Sequence, residues 1–295
     1  MLEFEKKFNK ETGIIGVIGH PIKHSLSPAM QNKAFSLGDQ NFIYLPFDVP
    51  QTNLKDALKG MIALGIKGFN ITIPHKEYIT QFLNDVSEEA SVIGAVNTIV
   101  NENGILHGYN TDVNGIIETL APFKDDINDQ VVSVIGSGGA ARSVIYALIR
   151  HFKVKRINII NRTEQTAESM KEYFGAKMVF PDIKTYALVP PDLVEVFGKS
   201  KLIVNTTSIG MNPEVDDSPT TIEKSFNKDQ IVFDVIYTPL KTKFLELAES
   251  QGATIVNGLK MFVVQGARSY ELWTGEDMPI DEIYEMLETE LGKVE

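Results

Sequence analysis

The chain contains no cysteine, so disulfides, thiolate nucleophiles and cysteine-ligated zinc are excluded, and no metal site is expected. Cations are also scarce. Lys and Arg number 28 against 39 Asp and Glu, a formal net charge of -11. That sign argues against nucleic acid as a partner, although a small basic pocket for one phosphate is compatible with it. Nowhere do apolar residues run for the roughly 20 positions that a membrane-crossing helix needs, so no membrane association is expected. The opening segment MLEFEKKFNKETG (1–13) mixes charges of both signs around no apolar centre, and no secretory leader is read there. What these absences leave is a soluble, cytoplasmic chain of 295 residues, one large or two ordinary domains, with the 43% hydrophobic content of a globular protein.

What is present is an alternation of strand-like and helix-like segments, which predicts an α/β architecture. It is organised around VVSVIGSGGAARS (131–143). A short apolar run, Val131–Ile135, ends in Gly136, Ser137, Gly138, Gly139 and Ala140, and a helical pattern then begins. Strand, glycine turn and helix is the context in which G-x-G-x-x-A reads as a dinucleotide site. Gly136 permits the tight turn, Gly138 lets backbone N–H groups approach a pyrophosphate, and Ala141 lets the helix pack close to the strand. The helix N-terminus supplies donors and positive dipole for the anion. The bland alternative is a tight connection with no ligand.

Before this turn, Ile14–Ile18, Asn41–Val49 and Gly68–Ile73 read as strands. Ser27-Pro28 starts a helix with Ser27 as N-cap, and Thr52 caps a second helix whose apolar face carries Leu54, Leu58, Met61 and Ile62. In Asn70-x-Thr72-x-Pro74-His75-Lys76, strand geometry puts Asn70 and Thr72 on one side. Lys76 follows at the start of a predicted helix, where a cation opposes the helix dipole, a setting suited to acid–base work. His75 reads as a turn or satisfied polar residue. Val96–Val100 and Ile105–Gly108 read as a hairpin. Asp112 stands just ahead of the helical run Val113–Leu120, where capping is its simplest role, and Asn97 is equally readable as a strand-end turn former.

After the turn, Arg156–Ile160 is the second strand of the nucleotide unit and ends in Asn161, Arg162 and Thr163. An NAD site usually places an acid here for the ribose 2′-hydroxyl. Arg162 instead suits a 2′-phosphate, which favours NADP over NAD, against the alternative of an ordinary surface arginine. Phe180–Pro191 reads as a loop region. Lys201–Val204, Ile231–Val235 and Ala253–Val256 are further strands, Leu259–Trp273 is a long helix with an apolar face, and Asp281–Leu291 is a last amphipathic helix.

HSLSPAMQN (24–32), NITIPHKE (70–77), IGAVNT (93–98) and GYNTD (108–112), in this order ahead of GSGGAARS and followed by GLKMFVVQGARSYELWTG (258–275), resemble the shikimate dehydrogenase family over nearly the whole chain. The resemblance implies a two-domain α/β fold: a substrate domain of residues 1–112 and 258–295, and a Rossmann-like NADP domain of residues 113–257, with the C-terminal helices packing back on the first. It implies that Ser25 and Ser27 bind a substrate carboxylate, that Thr72, Asn97 and Asp112 contact ring hydroxyls, and that Lys76 is the acid–base group, paired with Asp112. It further places Tyr237 and Gln265 at the substrate, and Ile236 and Gly258 beside the cofactor. The implied reaction is NADPH-dependent reduction of 3-dehydroshikimate to shikimate, by a monomer or homodimer. One departure stands out. Family members often carry a second cation at the position matching Thr166, and its absence here keeps open a quinate/shikimate dehydrogenase using both NAD and NADP. A non-catalytic metabolite sensor is the reading from another class, and retention of Lys76 and Asp112 speaks against it.

Overall fold

A computed structural model describes residues 8–293, and the segment read as lacking a leader therefore falls in part, at 1–7, outside the described residues. The chain divides into two compact units. The first runs to Asn114 and resumes at Val263–Leu287, and the second takes Gly115–Phe262 and the residues from Glu288.

In the first unit, β1 (Gly13–Gly19), β2 (Phe42–Asp48), β3 (Gly68–Ile71), β4 (Asp85–Val86), β5 (Thr98–Glu102) and β6 (Ile105–Tyr109) form one sheet in the order β2-β1-β3-β5-β6-β4. β1 is parallel to β2 and β3, whereas β5 runs antiparallel to β3 and β6. The β5–β6 hairpin turns at Asn103 and Gly104, with φ of 55° and 95°. Two consecutive positive φ values match the right-handed twist of the flanking strands, which is why an Asn-Gly pair sits there. Helix Leu54–Ala63 buries Leu54, Leu58 and Met61 against Phe69, Ile71 and Ile99 of the sheet. Helix Leu259–Thr274 reaches the same unit from far along the chain. Phe35 of helix Ser27–Leu37 stacks on Tyr270 at 5.3 Å, Gln31 Nε2 donates to the Gly266 carbonyl at 2.9 Å, and Trp273 Nε1 donates to the Ile99 carbonyl at 3.0 Å. The C-terminal helical segment thus packs back on the first unit, as the resemblance implies.

In the second unit, β7 (Val131–Ile135), β8 (Arg156–Asn161), β9 (Ile183–Ala187), β10 (Leu202–Asn205), β11 (Ile231–Asp234) and β12 (Thr254–Val256) form an all-parallel sheet in the order β12-β11-β10-β7-β8-β9. β10 and β11 are buried throughout, and as parallel strands covered on both faces they are continuously apolar apart from their last residues. The strand order reverses between β7 and β10, and ligands of open α/β sheets bind outside the carboxyl ends of the strands at such a point.

Four expectations are corrected. The Phe180–Pro191 region contains β9, an edge strand in which only Ile183 is buried, so its sequence carries no buried apolar run. Helix Ser27–Leu37 has Leu26 as N-cap and no side-chain cap, so Ser27 does not cap it. Thr52 lies inside a 3-10 turn, Gln51–Asn53, and bonds the Asn53 side chain, not a helix N–H. No α-helix begins at Lys76. The next element is a five-residue 3-10 turn, Tyr78–Phe82, and the dipole argument for Lys76 has nothing to rest on. Among the described residues, no helix is long and apolar enough to cross a membrane, and no group of His, Asp and Glu could hold a metal ion.

Candidate active site

Lys76, Asn97, Asp112 and Gln265, far apart in sequence, meet in the first unit. Backbone bonds fix two of them. The Val96 N–H donates to the Lys76 carbonyl at 2.8 Å, the Asn97 N–H donates to the Tyr109 carbonyl at 3.0 Å, and the Asn97 carbonyl accepts from Ile71 N–H at 2.8 Å. The Asn97 side chain has one permitted orientation. Its Oδ1 accepts from the Thr111 backbone N–H at 2.7 Å, a group that can only donate, so its amide nitrogen faces the other way. That nitrogen donates to Asp112 Oδ1 at 2.8 Å and, more distantly, to Gln265 Oε1 at 3.4 Å. Asp112 Oδ2 accepts from Lys76 Nζ at 2.5 Å. The capping role considered for Asp112 falls to Asn110, whose Oδ1 accepts from the Val113 N–H at 3.3 Å. Both carboxylate oxygens of Asp112 are thereby committed to one amide and one ammonium.

The pair is mostly withdrawn from solvent, the Lys76 and Asp112 side chains being 16% and 5% exposed. An ammonium held at one end by a carboxylate, in a partly dry setting, can surrender a proton to a developing alkoxide and recover it later. The carboxylate balances the charge throughout, and the Asn97 amide fixes the carboxylate.

Behind Asn97 lies a cluster of buried polar groups. Thr98, Thr111 and Ser269 hydroxyls lie within 2.8–3.2 Å of one another, and Asn70 Nδ2 donates to Thr98 Oγ1, to Ser269 Oγ and to the Asn97 carbonyl. Asn70 Oδ1 accepts from Tyr44 OH at 2.7 Å. Asn70 is thus absorbed in the interior, and β3 ends at Ile71, although the Thr72 N–H still donates to the Ile18 carbonyl at 2.9 Å. Ser269 was not foreseen. A serine within a helix gives no sign of its partners, and these lie more than 150 residues away. His75 is buried and donates from Nε2 to the Val49 carbonyl at 2.7 Å, and burial holds its imidazole below the ordinary value, hence neutral. Ser25 is half-buried and Ser27 buried, and Ser25 Oγ accepts from the Ser27 N–H at 3.3 Å. Thr72 is half-buried.

The second unit carries the remaining predicted residues. Gly136 has φ of +110°, and a Cβ there would meet Thr206 Oγ1 at 2.5 Å. Gly138 is the N-cap of helix Gly139–Arg150, and a Cβ there would meet nothing within 4 Å. Ser137 Oγ donates to Thr166 Oγ1 at 2.9 Å, and Asn161 Nδ2 donates to the same oxygen at 2.6 Å. Thr166, where a second cation was sought, therefore links the glycine turn to the end of β8. Arg162 and Thr163 are exposed there. Such an open turn, at a helix N-terminus beside an exposed guanidinium, suits a phosphate-bearing nucleotide. Tyr237 stacks on Phe262 at 4.1 Å, and Ile236 is buried. Gly258 lies so close to the preceding strand end that a Cβ would stand 2.1 Å from the Val235 carbonyl oxygen.

One buried acid was missed by sequence reading. Asp234, at the end of β11, is fully buried, and burial pushes its carboxyl up to about 7 despite hydrogen bonds from Thr242, Ile236 and Asn205 that pull the other way. The sign of the resulting pH dependence is fixed. A carboxyl raised in the folded state stabilises fully below its ordinary 3.8 and loses that contribution as pH rises through about 7. The stability of the protein relative to D234N, measured by urea denaturation, is expected to fall by about 2–3 kcal/mol between pH 5 and pH 8. A pH-independent difference would show that Asp234 does not titrate in this range.

A six-stranded parallel sheet with a glycine turn at its switch point, in one chain with a unit bearing a buried lysine–aspartate pair, defines the class as a two-domain, dinucleotide-dependent α/β oxidoreductase. Family models describe the shikimate dehydrogenase substrate binding domain at residues 17–99, shikimate/quinate 5-dehydrogenase at 119–208 and the shikimate 5′-dehydrogenase C-terminal domain at 258–288. The chain is 44% identical, over 97% of its length and all of the relative's, to "Shikimate dehydrogenase (NADP(+))" of Caldanaerobacter subterraneus subsp. tengcongensis. It belongs to the shikimate dehydrogenase family. Among solved structures it is similar to a shikimate dehydrogenase in complex with NADP+ (38% identity, TM-score 0.87, 97% of this chain and 98% of that one). It is also similar to shikimate 5-dehydrogenase from Listeria monocytogenes in complex with shikimate and NAD (35% identity, TM-score 0.84, 96% and 99%).

Proposed function

We propose that the protein catalyses the NADPH-dependent reduction of 3-dehydroshikimate to shikimate, with Lys76 as the proton donor and Asp112 as its charge partner. The observation that carries this reading is the chain Lys76–Asp112–Asn97, closed by hydrogen bonds of 2.5 and 2.8 Å in the unit whose sequence matches the substrate-binding family model. Ser25 and Ser27 are assigned to the substrate carboxylate, and Thr72, Asn97, Asp112, Gln265 and Tyr237 to the rest of the substrate. NADP is assigned to the second unit, with the pyrophosphate on the turn Gly136, Ser137, Gly138, Gly139 and Ala140. The 2′-phosphate goes to Asn161, Arg162 and Thr163, and Ile236 and Gly258 border the nicotinamide. When bound, the cofactor supplies the hydride. Lys76 gives its proton to the oxygen of the ketone as that oxygen gains negative charge, and Asp112 holds the ammonium in place until then. In the reverse direction the same pair takes the proton from the alcohol.

The test follows the absorbance of the reduced nicotinamide with shikimate or quinate as substrate, and with NADP+ or NAD+. Shikimate with NADP+ is expected to give the highest kcat/KM. The absence of turnover with any pair would overturn the reading. Thr166 in place of a cation supports a second one, in which NAD serves as well, and equal kcat/KM for the two cofactors would establish it. Arg162→Ala separates these. It is expected to raise KM for NADPH about tenfold, the loss of one charge-assisted contact at an exposed site, with KM for NADH hardly changed. Equal effects on both cofactors would show that Arg162 does not read the 2′-phosphate.

A further inference from the structure

At the carboxyl ends of four adjacent strands of the second unit, β7, β10, β11 and β12, the connecting loops are joined to one another through two buried side chains, Asn205 and Asp234. These close β10 and β11 and pair directly across the sheet. Both are fully buried. The Asn205 amide is oriented by the same logic as Asn97. Its Oδ1 accepts from the Thr207 backbone N–H at 3.1 Å and from Thr207 Oγ1 at 2.7 Å, so its nitrogen turns to Asp234 Oδ1 at 3.1 Å and to the Ile209 carbonyl at 3.3 Å. Asp234 Oδ1 also accepts from the Ile236 backbone N–H at 3.1 Å, while Oδ2 accepts from Thr242 Oγ1 at 2.7 Å. Thr242 in turn caps helix Lys243–Ser250.

The chain of contacts extends to both sides. Thr206, next to Asn205, donates from Oγ1 to the Ile135 carbonyl at 2.6 Å and fills the space that a Cβ on Gly136 would need. Ile236, held by Asp234, accepts at its carbonyl from the Gly258 N–H at 3.0 Å. The carboxylate thus joins the 205–210 loop to the 236–242 segment, and the same network reaches the glycine turn through Thr206 and Gly258 through the Ile236 carbonyl. An aspartate whose only role was to terminate a strand would not need three donors from two separate loops, and taking a carboxylate out of water is costly enough that an apolar residue is the usual choice there.

We propose that Asp234 is a positioning residue for the cofactor, setting the loops after β10 and β11 so that Ile236 and Gly258 meet the nicotinamide half of the dinucleotide. The inference rests on the reading, given above, that these residues border NADP. Asp234 touches no reacting atom and acts through the Ile236 N–H, Asn205 and Thr242. Removing the carboxylate therefore weakens cofactor binding far more than substrate binding, which draws on this segment through Tyr237 alone, whereas a purely structural role would lower stability with no preference between the two ligands.

The experiment measures NADPH affinity directly, by fluorescence titration of the whole chain, alongside KM for NADPH and for 3-dehydroshikimate. In D234A, both NADPH values are expected to rise at least tenfold, with KM for 3-dehydroshikimate, which feels the change only through Tyr237, raised by less than threefold. D234N, which retains an acceptor for Ile236 N–H and Asn205, is expected to restore NADPH affinity to within about threefold. If D234A does not fold, T242V decides. It keeps the side-chain shape, removes one of the three donors, and is expected to raise both NADPH values about threefold with the same selectivity. A folded D234A, or failing that a folded T242V, with unchanged NADPH affinity overturns the inference alone. A parent protein that does not bind NADPH overturns the proposed function as well.

Discussion

Lys76→Ala is expected to lower kcat by about 10²–10⁴-fold, the usual contribution of a positioned general acid, with KM for shikimate changed by less than about threefold. The split between the two constants follows from the geometry. Lys76 spends its ammonium on Asp112 at 2.5 Å in the resting site, so its interaction with substrate grows only as charge develops on the reacting oxygen. An interaction made mainly in the transition state appears in kcat and is absent from KM. The variant also leaves Asp112 buried without its cation, and a circular dichroism melt alongside the kinetics separates loss of the proton donor from loss of the fold. Near-normal turnover by a folded Lys76→Ala would remove the lysine from the mechanism. An equal loss in kcat/KM carried entirely by KM would reassign it to substrate binding.

Gly258→Ala is the second change expected to be severe. Its cost is not conformational, because the obstruction is spatial: the added methyl would lie 2.1 Å from the Val235 oxygen, 2.4 Å from the Val235 carbonyl carbon and 2.8 Å from the Ile236 oxygen. All three are backbone atoms, so no side chain can swing away. Relief requires β11 or the start of helix Leu259–Thr274 to shift, and overpacking of this kind costs about 1–3 kcal/mol, with a rigid backbone at the upper end. Urea denaturation is expected to show a loss of about 3 kcal/mol, accompanied by at least a tenfold fall in NADPH affinity. A loss below about 0.5 kcal/mol would mean that the strand end and the helix can separate freely.

Legibility in the sequence followed the range over which each feature is determined. The glycine turn was readable because strand, turn and helix are contiguous, and the positive φ at Gly136 is a local demand that its residue type announces. The parallel strands β7, β10 and β11 were equally plain as apolar runs. β9 was missed because an edge strand faces water and reads like a loop. Lys76 reads as the start of a helix, whereas the chain makes only the 3-10 turn Tyr78–Phe82 beyond it. Its partner 36 residues on was named through family resemblance and not through spacing, since no local rule links a loop lysine to the first residue of helix Asp112–Leu120. Ser269 and Asp234 were invisible for a related reason. A buried polar group is defined by what surrounds it, and the surroundings of both come from other strands and loops.

The first unit begins with the amino-terminal strands and is completed only by residues 263–287. Asn70 waits for Ser269, 199 positions later, and Gln31 waits for Gly266, 235 positions later. The second unit is almost continuous in sequence by comparison, from Gly115 to Phe262. On the ribosome, the nucleotide-type sheet can therefore close its core while the first sheet still lacks one of its covering helices, with that face open to water and to other chains. Contacts this distant in sequence form slowly, and exposed sheet faces invite misassociation. The unit bearing Lys76 and Asp112 is thus the part of the newborn chain most in need of protection, and a truncation anywhere before residue 263 would leave it permanently unfinished.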